Sequence, residues 1–117
     1  MEKVRIGFVG AGFMGLLARL GRRIAERYRI PKIYETREEL CAETSTDAVV
    51  EFTSDDMHAP VAIDGMNAGK HVCLEKPMAP NLPDARTMED TADRNGVKLM
   101  IGYMKRSGHR IGQINNR

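Results

Sequence analysis

The chain has 117 residues, about the length of one domain, and its 42% hydrophobic and 29% charged residues are ordinary globular composition. These values exclude a disordered chain and a coiled coil, and no apolar run approaches the roughly 20 residues that a membrane helix needs. Eighteen basic and sixteen acidic side chains leave a net charge of +2, which indicates neither a nucleic-acid nor a membrane partner.

Strand-like and helix-like segments alternate along the chain. Residues 4–9 are apolar and β-branched, which predicts a buried strand ending in a glycine-rich turn. From residue 13 to residue 28, apolar side chains recur at three- and four-residue steps, which predicts an amphipathic helix with a weak point at Gly21. The later predictions are, in order, a short strand (30–34), a helix capped by Thr36 (37–42), and then strands and helices in alternation (47–53, 59–68, 70–75, 84–95 and 97–103).

This alternation predicts the fold class. Strand–helix–strand units build a parallel sheet, so we expect an α/β, Rossmann-like parallel sheet with helices on both faces, in a single domain. Such sheets bind ligands at the carboxyl ends of their strands.

The first turn carries a phosphate-binding pattern. Gly10, Gly12 and Gly15 form G-x-G-x-x-G, with Phe13 and Met14 inside it, between a predicted strand and a predicted helix. Gly10 would permit the tight turn, Gly12 the approach of a pyrophosphate, and Gly15 the close packing of helix on strand. The helix N-terminus would offer free N–H groups to the phosphates, so the pattern predicts a dinucleotide site.

An acidic residue is expected about 20 positions later, bonded to the adenosine ribose. Counting from Gly15 gives Glu35, at the end of the predicted strand 30–34. A ribose-bound Glu35 would disfavour NADP, whereas Arg22, Arg23 and Arg37 nearby could hold its extra phosphate. The choice between NAD and NADP stays open.

Longer strings then resemble a known family. Residues 47–53 read DAVVEFT, His58 follows them, and residues 68–77 read AGKHVCLEKP. Together with the glycine loop, these strings resemble the N-terminal NAD(P)-binding domain of the Gfo/Idh/MocA oxidoreductases, the relatives of glucose–fructose oxidoreductase and inositol dehydrogenase. The resemblance covers residues 4–106.

The resemblance implies roles for particular residues. Lys76 would be the catalytic acid/base at the reacting hydroxyl, Glu75 would orient the lysine and the cofactor, and the Lys76–Pro77 bond is often cis in relatives. Thr53 and His58 would line the cofactor cleft, although Ser54 and Asp55 replace the proline and asparagine that are common there. The implied reaction is hydride transfer between nicotinamide and a sugar- or polyol-like hydroxyl.

The chain departs from the family in two places. Between Gly15 and Asp47 it is shorter by about one helix and one strand, so the domain is internally shortened. Either residues 30–35 are the ribose-side strand and the next helix is short, or residues 22–30 are the usual second helix and that strand is deleted near Gly21. In the second case Glu35 has no cofactor role.

The second departure is at the C-terminal side. Relatives continue into a substrate-binding domain, so we expect residues 1–106 to be the nucleotide-binding domain and residues 107–117 to be a remnant of the start of that domain. A non-catalytic nucleotide-binding or oligomerising relative is therefore an alternative to the enzyme. We expect a homo-oligomer in each case.

The remaining expectations concern compartment and metals. Cys41 and Cys73 make no disulfide framework, and neither lies in a Cys/His cluster, so we expect no metal site. The first five residues lack the apolar core of a secretion signal. We therefore expect a soluble cytoplasmic protein.

Overall fold

A computed structural model describes residues 3–10 and 16–102, without the side chains of residues 16–21. Its elements are β1 (Ile6–Val9), α1 (Leu16–Tyr28), α2 (Arg37–Ala42), β2 (Ala48–Glu51), α3 (His58–Asn67), β3 (His71–Leu74), α4 (Leu82–Asn95) and β4 (Leu99–Ile101). A short 3-10 turn, Asp55–Met57, leads into α3. The predicted C-terminal tail, residues 107–117, lies outside the described residues.

The four strands form one parallel sheet in the order β1-β2-β3-β4. In register, Gly7, Val49, Val72 and Leu99 lie side by side, and Val9, Glu51, Leu74 and Ile101 form the next row on the same face. The parallel α/β sheet in one domain is confirmed.

Helices α2, α3 and α4 pack on the face that carries these two rows, called here the packed face. A Cβ added to Gly65 of α3 would lie 3.2 Å from Val72, and one added to Gly7 would lie 2.6 Å from Leu40 of α2. The core joins α3, β3 and α4 through the buried residues Ala59, Ala62, Met66, Val72, Leu74, Met88 and Ala92. The packed face therefore holds most of the buried apolar surface that stabilises the fold.

The other side of the sheet, called here the open face, carries Ile6, Phe8, Val50, Cys73 and Met100. Ile6 is 51% exposed, and Phe8 and Met100 are each 61% exposed. The rings of Phe8 and Phe52 stack with centroids 6.4 Å apart. The apolar residues of the open face thus have much less cover than those of the packed face.

Capping residues set the helix ends. Thr36 accepts a hydrogen bond from the Glu39 N–H at the start of α2, as the sequence predicted. At α4, the Asn81 side chain accepts from the Asp84 N–H, and Gly96 ends the helix with a φ of +64°. The helix starts at Leu82, two residues before the predicted start, because Asn81 supplies the cap and Pro83 needs no N–H partner in the first turn.

The predicted strand at residues 30–34 is wrong. Arg29 ends α1 in the left-handed region, with a φ of +53°, and the Ile30 N–H returns to the Ala25 carbonyl. The following segment turns toward the end of α2, where Lys32 and the Tyr34 hydroxyl both bond the Glu43 carboxylate. Within the described residues, β1 therefore pairs with β2 alone and has no ribose-side neighbour.

Polar contacts fix the amino ends of the strands. Arg5 forms a two-bond pair with the carboxylate of Asp47 and also donates its backbone N–H to it, which lowers the pKa of Asp47 to about 2. The buried Lys70 ammonium donates to the carbonyls of Glu43 and Thr46, at 2.7 and 2.8 Å. No helix in the described part of the chain is long and apolar enough to cross a membrane.

Candidate functional site at the carboxyl ends of the strands

The carboxyl ends of β1, β2 and β3 bring several predicted site residues to one edge of the sheet. Gly10 directly follows β1, Thr53 lies two residues after the end of β2, and Lys76 lies two residues after the end of β3. In parallel sheets this edge is where ligands bind, because the loops and helix N-termini converge there. Gly12, Phe13, Met14 and Gly15 lie outside the described residues.

Gly10 sits where no side chain fits. Its φ is +105°, and a Cβ would lie 2.6 Å from the carbonyl carbon of Phe52 and 2.8 Å from the nitrogen of Thr53. Glycine adopts this conformation without steric cost, and its hydrogen permits the close approach. The structure therefore places the start of the glycine loop directly against the backbone that follows β2.

Thr53 is held by a residue that the sequence analysis did not single out. Glu51, the last residue of β2, is completely buried. Its Oε1 accepts the Thr53 N–H at 2.6 Å and also the Thr53 hydroxyl. The sequence contained an indication of this, because Glu51 follows a run of apolar strand residues and lies two positions after Val49, so its side chain points to the same buried face.

His58 connects the end of β2 to the loop after β3. It is 1% exposed, and its Nδ1 lies 2.6 Å from the carbonyl oxygen of Pro77. Its Nε2 lies 3.6 Å from Oε2 of Glu51. A carbonyl oxygen can only accept a hydrogen bond, so Nδ1 carries a proton and donates a hydrogen bond to the Pro77 carbonyl.

The lysine predicted to be catalytic lies at the surface of this edge. Lys76 is exposed, and its backbone N–H donates to Oε2 of Glu75 at 3.3 Å. The Lys76–Pro77 peptide bond is cis, as the family resemblance implied. The N–H of Gly102, the residue after β4, donates to the Leu74 carbonyl at 2.8 Å and so holds the end of β3 just before this turn.

Electrostatics at this edge are set by a few polar groups. A hydrogen bond from Ser54 lowers the pKa of Asp56, which keeps a negative charge at the start of α3. Burial raises the pKa of the Cys73 thiol, with a smaller contribution from the Glu75 charge, so this thiol stays protonated at neutral pH.

Glu35 lies apart from these residues. Its carboxylate pairs with Arg22 at 3.0 Å, and both side chains are largely exposed. The strand that was expected to bring Glu35 beside β1 is absent from the described residues. The structure therefore connects Gly10, Thr53, His58 and Pro77, and it leaves out Glu35.

Comparison with known proteins agrees with this arrangement. Residues 17–103 match the family model described as the oxidoreductase family with the NAD-binding Rossmann fold, Gfo/Idh/MocA. The chain is 37% identical over 94 residues to 1,5-anhydro-D-fructose reductase of Ensifer adhaerens, covering 80% of this chain and 28% of the reductase. It is 30% identical over 93 residues to inositol 2-dehydrogenase of Salmonella typhimurium, covering 78% and 28%.

A solved structure shows the same fold. An NAD binding oxidoreductase from Klebsiella pneumoniae superposes with a TM-score of 0.78 at 27% identity, over 98% of this chain and 38% of that one. The chain thus spans between about a quarter and two-fifths of the length of these relatives. The family match, the shared fold and the strand-end residues agree: the chain belongs to the Gfo/Idh/MocA oxidoreductase family and corresponds to its NAD-binding Rossmann domain.

Proposed function

We propose that the carboxyl ends of β1, β2 and β3 bind the nicotinamide side of NAD or NADP, and that the protein serves hydride transfer to and from a sugar- or polyol-like hydroxyl. One observation carries the proposal. Gly10, Thr53, His58 and the Lys76–Pro77 turn are linked by contacts through Glu51 at the single edge where parallel sheets bind nucleotides.

The residues fit the nicotinamide end of the cofactor better than the adenosine end. Gly10 lets two strand ends approach closely, and Lys76 is exposed while its backbone N–H bonds the Glu75 carboxylate. On the adenosine side, the described residues include no strand beyond β1. Glu35 thus stays a prediction, and the affinity of Glu35→Ala for NADH tests it.

Lys76 is the proposed acid/base. The bound nicotinamide supplies the hydride acceptor or donor. During oxidation of an alcohol, the Lys76 amine would take the hydroxyl proton as the carbon loses its hydride and becomes a carbonyl carbon. Glu75, which already bonds the Lys76 N–H, would orient the turn.

Titration with NADH and with NADPH, followed by nicotinamide fluorescence, tests binding. We expect saturable binding of one or both below the millimolar range. Turnover is then assayed over a panel of polyols, and Lys76→Ala should lower it by at least about 100-fold. Lys98→Ala is the matched control, because Lys98 is also exposed but precedes β4 at the opposite edge of the sheet. Binding without turnover in the wild type would favour a non-catalytic, nucleotide-binding role.

We also propose that the chain forms a homo-oligomer. The open face exposes Ile6, Phe8 and Met100, and the outer side of β1 is unpaired within the described residues, so a second copy could cover both. Light scattering tests this, because Phe8→Glu should shift an oligomer toward the monomer. A monomeric wild type at high concentration would contradict the proposal.

The proposed compartment is the reducing cytoplasm, which Cys41 and Cys73 support because both are free thiols. Localisation of a tagged chain by fractionation tests this. Residues 1–106 remain the proposed extent of the nucleotide-binding domain.

A further inference from the structure

Glu51 is a buried acid inside a hydrophobic sheet. It is 0% exposed and lies in register between Val9 and Leu74 on the packed face. Burying a carboxyl group is unfavourable unless hydrogen bonds replace its water. A strand that needed only to pack would be more stable with an apolar residue here, so the acid indicates a local role.

One oxygen of Glu51 fixes the loop after β2. Oε1 accepts from both the N–H and the hydroxyl of Thr53. These two bonds hold the first turn after the strand, against which Gly10 packs.

The other oxygen faces His58. Because His58 Nδ1 donates to Pro77, a neutral ring would present only a lone pair at Nε2, 3.6 Å from Oε2 of Glu51. A lone pair facing an ionised carboxylate is repulsive. Both atoms are buried, and neither has a hydrogen-bond partner among the described residues, so each is the nearest polar group that the other faces.

We infer that Glu51 is a positioning residue of the strand-end site. It holds Thr53 directly, and through the 3.6 Å polar contact between its Oε2 and His58 Nε2 it orients the imidazole that anchors the Pro77 carbonyl, and with it Lys76. One buried carboxyl group thus fixes the loops after two neighbouring strands. The ligand of these loops is the one in the proposed function, on which the inference rests for its effect on binding.

Backbone hydrogen exchange of the full chain tests the inference without a cofactor. Glu51→Gln keeps a carbonyl oxygen for Thr53 and an N–H for His58 Nε2, so exchange at Thr53, Lys76 and Met78 should stay near the wild type. Glu51→Leu removes both, and exchange at these amides should rise by about tenfold relative to Ala62 and Met66 in α3.

Two further variants separate the two halves of the connection. His58→Gln should speed exchange at Lys76 and Met78 and leave Thr53 unchanged. Thr91→Val removes another buried polar contact, the bond from Thr91 Oγ1 to the Thr87 carbonyl, and should alter none of these amides relative to α3.

Cofactor affinity provides the second readout. NADH should bind Glu51→Leu about tenfold more weakly than the wild type and Glu51→Gln within about twofold. If the wild type binds no NADH, the proposed function fails while hydrogen exchange still decides the inference.

Three results would overturn the inference. The first is that amide exchange at Lys76 and Met78 in Glu51→Leu, relative to exchange in α3, stays at the wild-type rate. The second is that Glu51→Gln and Glu51→Leu raise amide exchange equally. If Glu51→Leu does not fold, the third is decisive: wild-type exchange at Lys76 and Met78 in His58→Gln would show that the histidine does not anchor the turn.

Discussion

The two faces of the sheet differ in how they are stabilised. The packed face buries Val49, Val72 and Leu74 under α3, with 1–2% of each side chain exposed, whereas Phe8 and Met100 on the open face keep more than half of their surface exposed. The site lies at the carboxyl edge, and its buried members, Glu51 and His58, belong to the packed side. The packed half of the domain therefore positions the proposed chemistry, and the open half carries the surface that we propose a second copy of the chain covers.

Removing one side chain from each face gives the largest expected contrast. Leu74→Ala should destabilise the domain by about 4 kcal/mol, because Leu74 is 1% exposed in the main core. Phe8→Ala should change stability by no more than about 0.5 kcal/mol, since the ring is mostly in solvent. Urea unfolding at a protein concentration where the chain is monomeric measures both. Equal losses would contradict the difference between the faces.

Two glycines test how rigid the strand-end edge is. Gly10→Ala should cost about 3 kcal/mol, because the backbone of Phe52 and Thr53 leaves no space for a Cβ. Gly69→Ala is the matched control, with a φ of +76° and no atom within 4 Å of an added Cβ, and should cost about 1 kcal/mol. Thermal unfolding of both variants gives the difference. If Gly10→Ala were as mild as Gly69→Ala, the edge would be able to open around the new methyl group.

A buried cation should contribute strongly at the opposite edge. Lys70→Met leaves the carbonyls of Glu43 and Thr46 without their ammonium donor and should cost about 2 kcal/mol. Lys98→Met, at an exposed position of the same edge, should be near neutral. Because neither residue lies at the carboxyl ends, NADH affinity of the folded variants should stay at the wild-type value. A selective loss of affinity in Lys70→Met would mean that the two edges are coupled.

The sequence predicted most of the packed half. Parallel strands, the Thr36 cap and the Gly96 helix end all depend on local patterns that survive folding unchanged, so the elements from residue 36 to residue 101 were predicted with small errors at their ends. The segment at residues 30–34 has apolar residues like a strand, but Pro31 and the bonds to Glu43 direct it toward α2. Those bonds are made in three dimensions and have no local signature.

The site was predicted in outline and not in its supporting contacts. The family resemblance predicted Thr53, His58, Lys76 and Pro77 as site residues, because the motifs that contain them and the spacing between these motifs are specific. The resemblance could not predict a role for Glu51, since the family motif specifies no residue at that position. The alternation of side chains along β2 indicates that Glu51 points inward, but it does not indicate which group the buried carboxylate contacts. Glu35 was chosen by counting from the glycine loop, and its role stays a prediction, because the strand that was expected to bring it beside β1 is absent from the described residues.

The smallest predicted effect concerns the ion pair that ties the starts of β1 and β2 together. Arg5 holds the pKa of Asp47 at about 2, below the ordinary value of about 3.9, so the folded state favours the ionised carboxylate. The resulting stability is fully present above about pH 4 and is lost as the pH falls through about 2.

Asp47→Asn should therefore be less stable than the wild type near neutral pH, and the difference should shrink as the pH falls from about 5 toward 2. The urea midpoints of both proteins along a pH series measure this, with Asp90→Asn on the exposed side of α4 as the control. Because Arg5 and Asp47 are both at least one-third exposed, added salt should weaken the effect. A difference that is independent of pH would mean that the contact stabilises through packing, and β1 would then be held by the same forces as the packed face.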